Sequence, residues 1–119
     1  MAARTLTITI NPDWRSALRQ AARPAFSIPA YQGETLNFET PGAFFSRLTS
    51  RRWAMVSALL GAGEVPVREL ARRLGRDVKR VHEDACVLVE LGLIERTASG
   101  GLVCPFADVH MDMHMRRAA

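Results

Sequence analysis

Three consecutive segments between residues 49 and 92 carry apolar side chains with the spacing of amphipathic helices. Spacings of three and four residues place such side chains on one helix face, and glycines after each segment end it. The apolar faces are Trp53, Val56, Leu59 and Leu60 in the first segment, Val67, Leu70, Ala71 and Leu74 in the second, and Val78, Val81, Ala85 and Leu88 in the third. We expect Thr49 or Ser50 to cap the first helix and Asp77 to cap the third. The second and third segments, joined by a turn at Gly75, predict a helix-turn-helix unit.

A short β-hairpin is predicted directly after the third helix. Residues 93–97 and 102–105 are strand-like and are separated by the turn sequence Ala98-Ser99-Gly100-Gly101. A hairpin behind a helix-turn-helix unit is typical of the wing of a winged helix. A hairpin with only a structural role is the alternative.

Both ends of the chain carry strand patterns. Residues 5–10 alternate Thr with Leu or Ile, and residues 109–115 alternate Met with His or Asp. Edge strands tend to pair, so we predict that these two strands pair with each other or across a dimer interface. Between them the pattern predicts a helix from Asn11 to about Arg23, a loop over residues 24–33, a brief strand at Leu36 and Phe38, and a short helix opened by Thr40-Pro41.

These elements predict an α+β fold of winged helix-turn-helix type, with a three-helix core and a hairpin wing. The N-terminal strand and helix are an extension, and a C-terminal strand follows the wing. At 119 residues the chain is short enough for one main core. We expect residues 1–43 to form the extension, used for dimerisation or partner contact, and residues 44–119 to form a DNA-binding domain with the C-terminal strand.

Positive charge is concentrated in the helical part of the chain. Residues 47–80 hold nine Arg or Lys against three acidic residues, a net +6, whereas the whole chain carries +4, which leaves −2 for the rest. A basic stretch of this kind is expected of a surface that binds phosphates. A solvated surface without a partner is the alternative interpretation.

The third helix is predicted to enter the major groove of duplex DNA. Projection at 100° per residue places its charged side chains opposite the apolar stripe, with the basic ones near its start. The expected base contacts are Arg76, Lys79, Arg80 and Glu83. The expected contacts to the DNA backbone are Arg51, Arg52, Arg68, Arg72, Arg73, Arg96, Ser99 and Gly100.

The sequence resembles a known family in the same region. The quoted stretches are Leu48-Thr49-Ser50-Arg51-Arg52, Val67-Arg68-Glu69-Leu70-Ala71-Arg72-Arg73-Leu74-Gly75-Arg76-Asp77-Val78-Lys79-Arg80-Val81-His82 and Leu91-Gly92-Leu93-Ile94-Glu95-Arg96. They resemble the winged-helix transcriptional regulators of MarR-like type in archaea and bacteria, some of which are encoded beside small toxins. The resemblance implies DNA binding and dimerisation, with an antitoxin role as a further possibility. It covers residues 44–110.

Two constellations suggest other chemistry. His82 and Cys86 lie four residues apart on the third helix, but no further group completes a catalytic site, so packing is expected and the chain is not expected to be an enzyme. His110, Asp112 and His114 share one strand face, where a solvated face is expected instead of a metal site. No cofactor is predicted.

The expected function is sequence-specific binding of double-stranded DNA by a homodimer that represses transcription. One alternative is an antitoxin that neutralises a small toxin protein and regulates its own operon. Another is a protein-interaction module with an idle basic face. Cys86 and Cys104 are expected to be reduced thiols, and no stretch approaches the ~20 apolar residues that span a bilayer, which predicts a cytoplasmic protein without membrane contact.

Overall fold

The computed structural model of the protein describes residues 4–11 and 33–113, which adopt an α+β fold. In this part of the chain the strands are β1 (Thr5–Ile10), β2 (Glu34–Phe38), β3 (Glu95–Arg96), β4 (Leu102–Val103) and β5 (Asp108–Asp112), and the helices are α1 (Pro41–Arg47), α2 (Ser50–Leu59), α3 (Val67–Leu74) and α4 (Val78–Leu91). None of these helices is both long enough and apolar enough to cross a membrane.

The described residues fall into two compact units. The first contains residues 4–11, 33–46 and 108–113, and the second is Arg47–Ala107. The C-terminal strand belongs to the first unit, whereas we expected it to belong, with the helices, to a domain of residues 44–119. This grouping follows from strand pairing, which links segments that are distant along the chain.

The first unit is built on a three-stranded sheet in the order β2-β1-β5. Both outer strands run parallel to β1, with Ile8 beside Leu36 on one side and beside Met111 on the other. The pairing of β1 with β5 confirms the prediction that the two terminal strands pair with each other. Leu6 and Ile8 are buried, and Phe38 meets the buried ring of Phe44 edge-on at 5.4 Å between centroids.

The second unit contains α2, α3, α4 and the β3–β4 hairpin. Thr49 caps α2 by accepting a hydrogen bond from the Arg52 amide at 3.4 Å, and Asp77 caps α4 by accepting one from the Arg80 amide at 3.3 Å. Gly75 ends α3 in the left-handed region at φ 64°, a conformation that costs glycine little because it has no Cβ. The helices and caps predicted for this region are thereby confirmed.

The hairpin gains a third partner from the segment before α3. Val65 and Leu102 exchange two backbone hydrogen bonds of 2.8 Å, beside the antiparallel pairing of β3 and β4. Both side chains are buried. The hairpin is therefore fixed to the turn that leads into α3, a connection that the sequence pattern did not indicate.

Some predicted positions differ in the structure. Val78 was expected in the buried stripe but is 43% exposed, because it lies in the first turn of α4. In α2, Met55 is completely buried whereas Trp53 is only partly covered. The predicted helix from Asn11 to about Arg23, most of the following loop, and the end of the C-terminal strand beyond residue 113 lie outside the described residues.

Candidate nucleic-acid interface

One carboxylate joins three parts of the second unit. Asp84, in the middle of α4, accepts a hydrogen bond from Arg52 Nε of α2 at 3.0 Å through Oδ1. Its Oδ2 accepts one from Arg76 Nη2 at 2.6 Å, and Arg76 lies in the turn between α3 and α4. The three side chains are only 17–21% exposed. The middle of α4 is thus tied to α2 and to the turn that precedes α4 by one shared anion.

The pKa of Asp84 reflects both its burial and its two arginine partners. Burial raises the pKa of Asp84, but the hydrogen bonds from Arg76 and Arg52 outweigh burial and hold that pKa below its usual value. Arg52 also donates from Nη1 to the carbonyl oxygen of Arg47 at 2.9 Å. The Nη1 atom of Arg76 is buried and has no hydrogen-bond partner among the described residues.

Arg76 therefore differs from the arrangement expected for a base contact. The helical projection had placed its side chain on the outward face of the third helix. Arg76 instead precedes the cap residue Asp77, outside the helix, so its side chain follows the turn and reaches Asp84. The expected outward orientation of Arg76 is wrong. Arg52, expected at the DNA backbone, is likewise held by Asp84.

The outward face of α4 carries three charged side chains as expected. Lys79, Arg80 and Glu83 are exposed, and in residues 4–11 and 33–113 none of them has an ion pair or a side-chain hydrogen bond. Val78, beside Lys79, adds an exposed apolar surface to the same first turn. The first turn of this helix therefore carries two unpaired cations on its outward face and one exposed apolar side chain where the buried stripe begins.

The arginines of α2 and α3 fall into two groups. Arg51 and Arg68 are exposed, and no ion pair in the described part of the chain occupies them. Arg72 instead donates to the carboxylate of Glu69 through Nε at 2.9 Å and through Nη2, and Arg73 Nε lies 3.6 Å from the same carboxylate. The hydrogen bond from Arg72 lowers the pKa of Glu69, and Glu69 raises the pKa of Arg72. Glu69 thus reduces the positive charge that Arg72 and Arg73 present.

The hairpin tip is organised around another carboxylate. Glu64 accepts hydrogen bonds from the hydroxyls of Thr97, at 2.6 Å, and of Ser99. The hydrogen bond from Ser99, followed by that from Thr97, lowers the pKa of Glu64. The backbone amide of Gly100 donates to the Thr97 carbonyl, and that of Gly101 donates to the Thr97 hydroxyl. Ser99 and Gly100, expected at the DNA backbone, use these donors within the hairpin.

Arg96 connects the hairpin to α4. Its Nη2 atom lies 3.2 Å from Sγ of Cys86, and Nε2 of His82 lies 3.9 Å from the same sulfur. All three residues are exposed. The structure therefore brings His82 and Cys86 together as the sequence spacing indicated, and adds a guanidinium group from the adjacent strand. Cys104 is buried, which raises the pKa of its thiol.

The other suggested constellation lies in the first unit. His110 and Asp112 of β5 stand beside Thr7 and Thr9 of β1, and both are exposed. Among the described residues no group of three His, Cys, Asp or Glu side chains has a geometry that could hold a metal ion. His114, the third residue of that expectation, lies outside them.

Sequence reasoning missed three features of this surface: the anchor Asp84, the acidic Glu64 at the hairpin tip and the exposed Val78. Asp84 did leave a signal. It follows Val81 by three residues and precedes Leu88 by four, which places a carboxylate within the apolar stripe of its helix. A carboxylate in such a position is expected to have a cationic partner.

A comparison with protein-family models matches the HVO_A0114 family over residues 47–111, more than half of the chain. The chain belongs to the HVO_A0114 family. The match includes the three helices, the hairpin and most of β5. It does not connect this HVO_A0114 member with the MarR-like regulators, so that resemblance stays a prediction. Comparisons with curated proteins and with solved structures gave no significant match.

Proposed function

We propose that this HVO_A0114 protein is a sequence-specific regulator that binds duplex DNA as a dimer and represses transcription. The observation that carries the proposal is the first turn of α4, where Lys79 and Arg80 are exposed and unpaired within the described residues. Nearby Arg52, Arg72 and Arg76 are engaged by carboxylates. Cations without an internal partner are available to an external anion, and a helix of this kind presents its first turns to base edges.

The proposed architecture is a winged helix. Its support is the sequence of three helices followed by a hairpin, with α3 and α4 joined by a three-residue turn at Gly75. The bridge between Val65 and Leu102 adds a short strand pairing next to the hairpin. In this arrangement α4 is the recognition helix and the β3–β4 hairpin is the wing.

Within the proposed interface, four exposed side chains of α4 each have a chemical counterpart in the major groove. Lys79 and Arg80 donate to guanine O6 and N7, and Glu83 accepts from the cytosine amino group. The exposed side chain of Val78 provides an apolar contact for a thymine methyl group. These four positions read sequence, and Arg51 and Arg68 bind phosphates without reading it.

Three expected contacts change role in this proposal. Arg76 and Arg52 act as positioning residues, because both donate to Asp84 and keep α4 in place. The hairpin tip is left out of the interface, because the donors of Ser99 and Gly100 are used internally and Glu64 adds negative charge there. Arg96 remains the contribution of the wing, and Arg72 and Arg73 add a weaker phosphate attraction beside Glu69.

Dimerisation completes the proposal. A single small module buries little DNA surface, so useful affinity requires two half-sites, about one helical turn apart, occupied by two copies. Repression follows from occupying a promoter.

The test is binding of the purified protein to its own upstream DNA and to a scrambled duplex, measured by fluorescence anisotropy across a salt series. We expect tighter binding to the upstream DNA and an affinity that falls steeply as salt rises. Lys79→Ala and Arg80→Ala are each expected to cost about 1–3 kcal/mol of specific binding.

The matched control is Arg72→Ala with Arg73→Ala, which removes the same charge from side chains that share Glu69. We expect this variant to lose less affinity than Lys79→Ala with Arg80→Ala, and equally on both duplexes. Equal losses of affinity in the two double variants contradict the assignment of α4 as the recognition helix. No binding to either duplex at low salt contradicts the function itself, and a co-purified small protein then favours the antitoxin alternative.

A further inference from the structure

Strand β5 presents an exposed edge in the described sheet. It pairs with β1 on one side, and no other described strand pairs with its opposite side. Asp108, His110, Met111 and Asp112 are exposed, and Met113 directly after the strand is 45% exposed. Exposed strand edges carry unpaired backbone donors and acceptors and readily pair with a further strand.

The two faces of β5 differ in chemistry. Val109 and Met111 stand beside Leu6 and Ile8, so they share the apolar face of the sheet. His110 and Asp112 stand beside Thr7 and Thr9 on the polar face. Within the described residues, Met111 and Met113 are two of the four large apolar side chains that are strongly exposed, the others being Phe45 and Val78. Apolar side chains of the described residues therefore remain exposed at the β5 edge.

The sequence of β5 is complementary to itself in one antiparallel register. If Met111 faces its own copy, His110 faces Asp112 of the second chain, and Val109 faces Met113. The pairs of His110 with Asp112 and of Val109 with Met113 each occur twice because the arrangement is two-fold symmetric, and the Met111 pair lies on the axis. An imidazole N–H donates to a carboxylate, and opposite or hydrogen-bonding cross-strand pairs stabilise a sheet.

Neighbouring registers lack this complementarity. A centre at His110 places Asp108 opposite Asp112 twice, and a centre at Asp112 places two carboxylates opposite each other on the axis. Like charges directly opposite destabilise a strand pair. If one strand slides by a single residue along the other, polar side chains face apolar ones, because residues that face each other lie on the same face of the sheet.

We propose that two copies of this chain dimerise by antiparallel pairing of their β5 edges about an axis at Met111, which joins two three-stranded sheets into one of six strands. The occupant of the β5 edge is thus a second copy of the same strand. The other edge strand, β2, offers no comparable surface, since none of its residues is a strongly exposed large apolar side chain. This inference names the interface of the dimer in the proposed function, on which it rests.

The first test is the oligomeric state of the full chain without DNA, measured by sedimentation equilibrium. We expect a dimer whose dissociation constant rises about tenfold or more in His110→Asp, because Asp then faces Asp112 at two positions. Combining His110→Asp with Asp112→Lys restores an opposite-charge pair at both positions, and we expect dimerisation to return. A monomeric wild-type chain, or a dimer that His110→Asp leaves unchanged, overturns the interface.

A cross-linking test covers the case in which these variants fold poorly. Residues facing each other in an antiparallel pair have Cα atoms about 4.5–5.5 Å apart, within the range of a disulfide. Met111→Cys in a Cys86→Ser background is therefore expected to form a covalent dimer on mild oxidation. Thr35→Cys in the same background is the control, because Thr35 is exposed on the opposite edge strand. This variant keeps its β5 edge and is expected to form no covalent dimer.

Equal cross-linking at both positions, or none at position 111, overturns the proposal. Because both tests are carried out without DNA, these outcomes leave the DNA-binding function untouched. Conversely, a β5 dimer that binds no DNA contradicts the proposed function and supports the interface.

Discussion

Asp84 accepts a 2.6 Å hydrogen bond from Arg76, a residue that lies before the cap of the same helix. The contact folds the turn between α3 and α4 back onto the middle of α4. Arg52 reaches the other oxygen of the same carboxylate from α2. The direction in which α4 leaves the turn is therefore coupled to the position of α2.

Removing the negative charge from this cluster is expected to destabilise the fold. Asp84→Asn keeps the size of the side chain but leaves two largely buried guanidinium groups without their anion. We expect a loss of about 2–4 kcal/mol in the free energy of unfolding, measured by urea denaturation at neutral pH. Glu90→Gln is the control, because Glu90 pairs with Arg47 at 3.5 Å with a 73% exposed side chain and is expected to cost under about 1 kcal/mol. Equal costs for both variants would show that Asp84 is not an anchor.

The comparison of wild type with Asp84→Asn also predicts how the stabilising effect of Asp84 changes with pH. The pKa of Asp84 is lower in the folded chain than its unfolded value of about 3.9, so its stabilising contribution is complete above that pH. The contribution is lost as pH falls through the folded pKa. We expect the stability difference between wild type and Asp84→Asn to be constant between about pH 7 and 5 and to shrink below about pH 4.

Urea midpoints across this range measure that difference. Glu64 and Glu69 also have lowered pKa values, but both proteins contain them, so their titration cancels in the comparison. A difference that is unchanged in strong acid contradicts the assignment of the shift to the contacts of Asp84.

Much of the second unit could be predicted from sequence because its signals are local. The helices and the turn are indicated by the spacing of the apolar residues, by the cap Asp77 and by Gly75. Each of these signals lies within one or two helical turns of the feature that it predicts. The pairing of β1 with β5 could also be predicted, since two alternating strands with matching apolar faces need a partner.

The features that escaped prediction depend on more than the helical period of the apolar residues. A helical projection assumes that a residue is in the helix, so it misplaces Arg76, which precedes the cap. It also cannot tell that Val78, in the first turn of α4, is exposed. The contact of Glu64 with Ser99 joins residues 35 positions apart and has no local pattern at all.

Two valines on α4 offer a matched comparison of stability with binding. Val81 is completely buried and Val78 is 43% exposed, three residues apart on the same helix. We expect Val81→Ala to cost about 2 kcal/mol, from lost burial and the cavity left behind, and Val78→Ala to stay within about 0.5 kcal/mol. Thermal or urea unfolding measures both values, and similar costs contradict the exposure of Val78.

The binding effects of these valines are expected in the opposite order. Under the proposed function, Val78→Ala weakens binding to the upstream duplex more than to the scrambled one, because a thymine methyl contact carries sequence information. Val81→Ala, assayed where it is fully folded, leaves the ratio of the two affinities unchanged. A ratio unaffected by Val78→Ala removes Val78 from the side chains proposed to read sequence.

The absence of a side chain at Gly101 allows Glu64 to approach the hairpin closely. A Cβ atom at this position would lie 2.7 Å from Cγ and Oε1 of Glu64, too close for both to keep their places. We therefore expect Gly101→Ala to displace the carboxylate and to break its hydrogen bonds with Thr97 and Ser99. The loss of stability is expected to be non-additive with Glu64→Ala, since each substitution removes the same contacts.

A double-mutant cycle by urea denaturation measures this coupling, with Ser99→Ala as a third variant that removes one donor alone. The double variant is expected to be no less stable than the more damaged single variant. Fully additive losses contradict a shared mechanism. Glu64→Ala removes the carboxylate, which frees the Ser99 hydroxyl and removes negative charge from the tip. We therefore expect this variant to bind any DNA duplex more tightly at low salt, with the wild-type preference between duplexes unchanged.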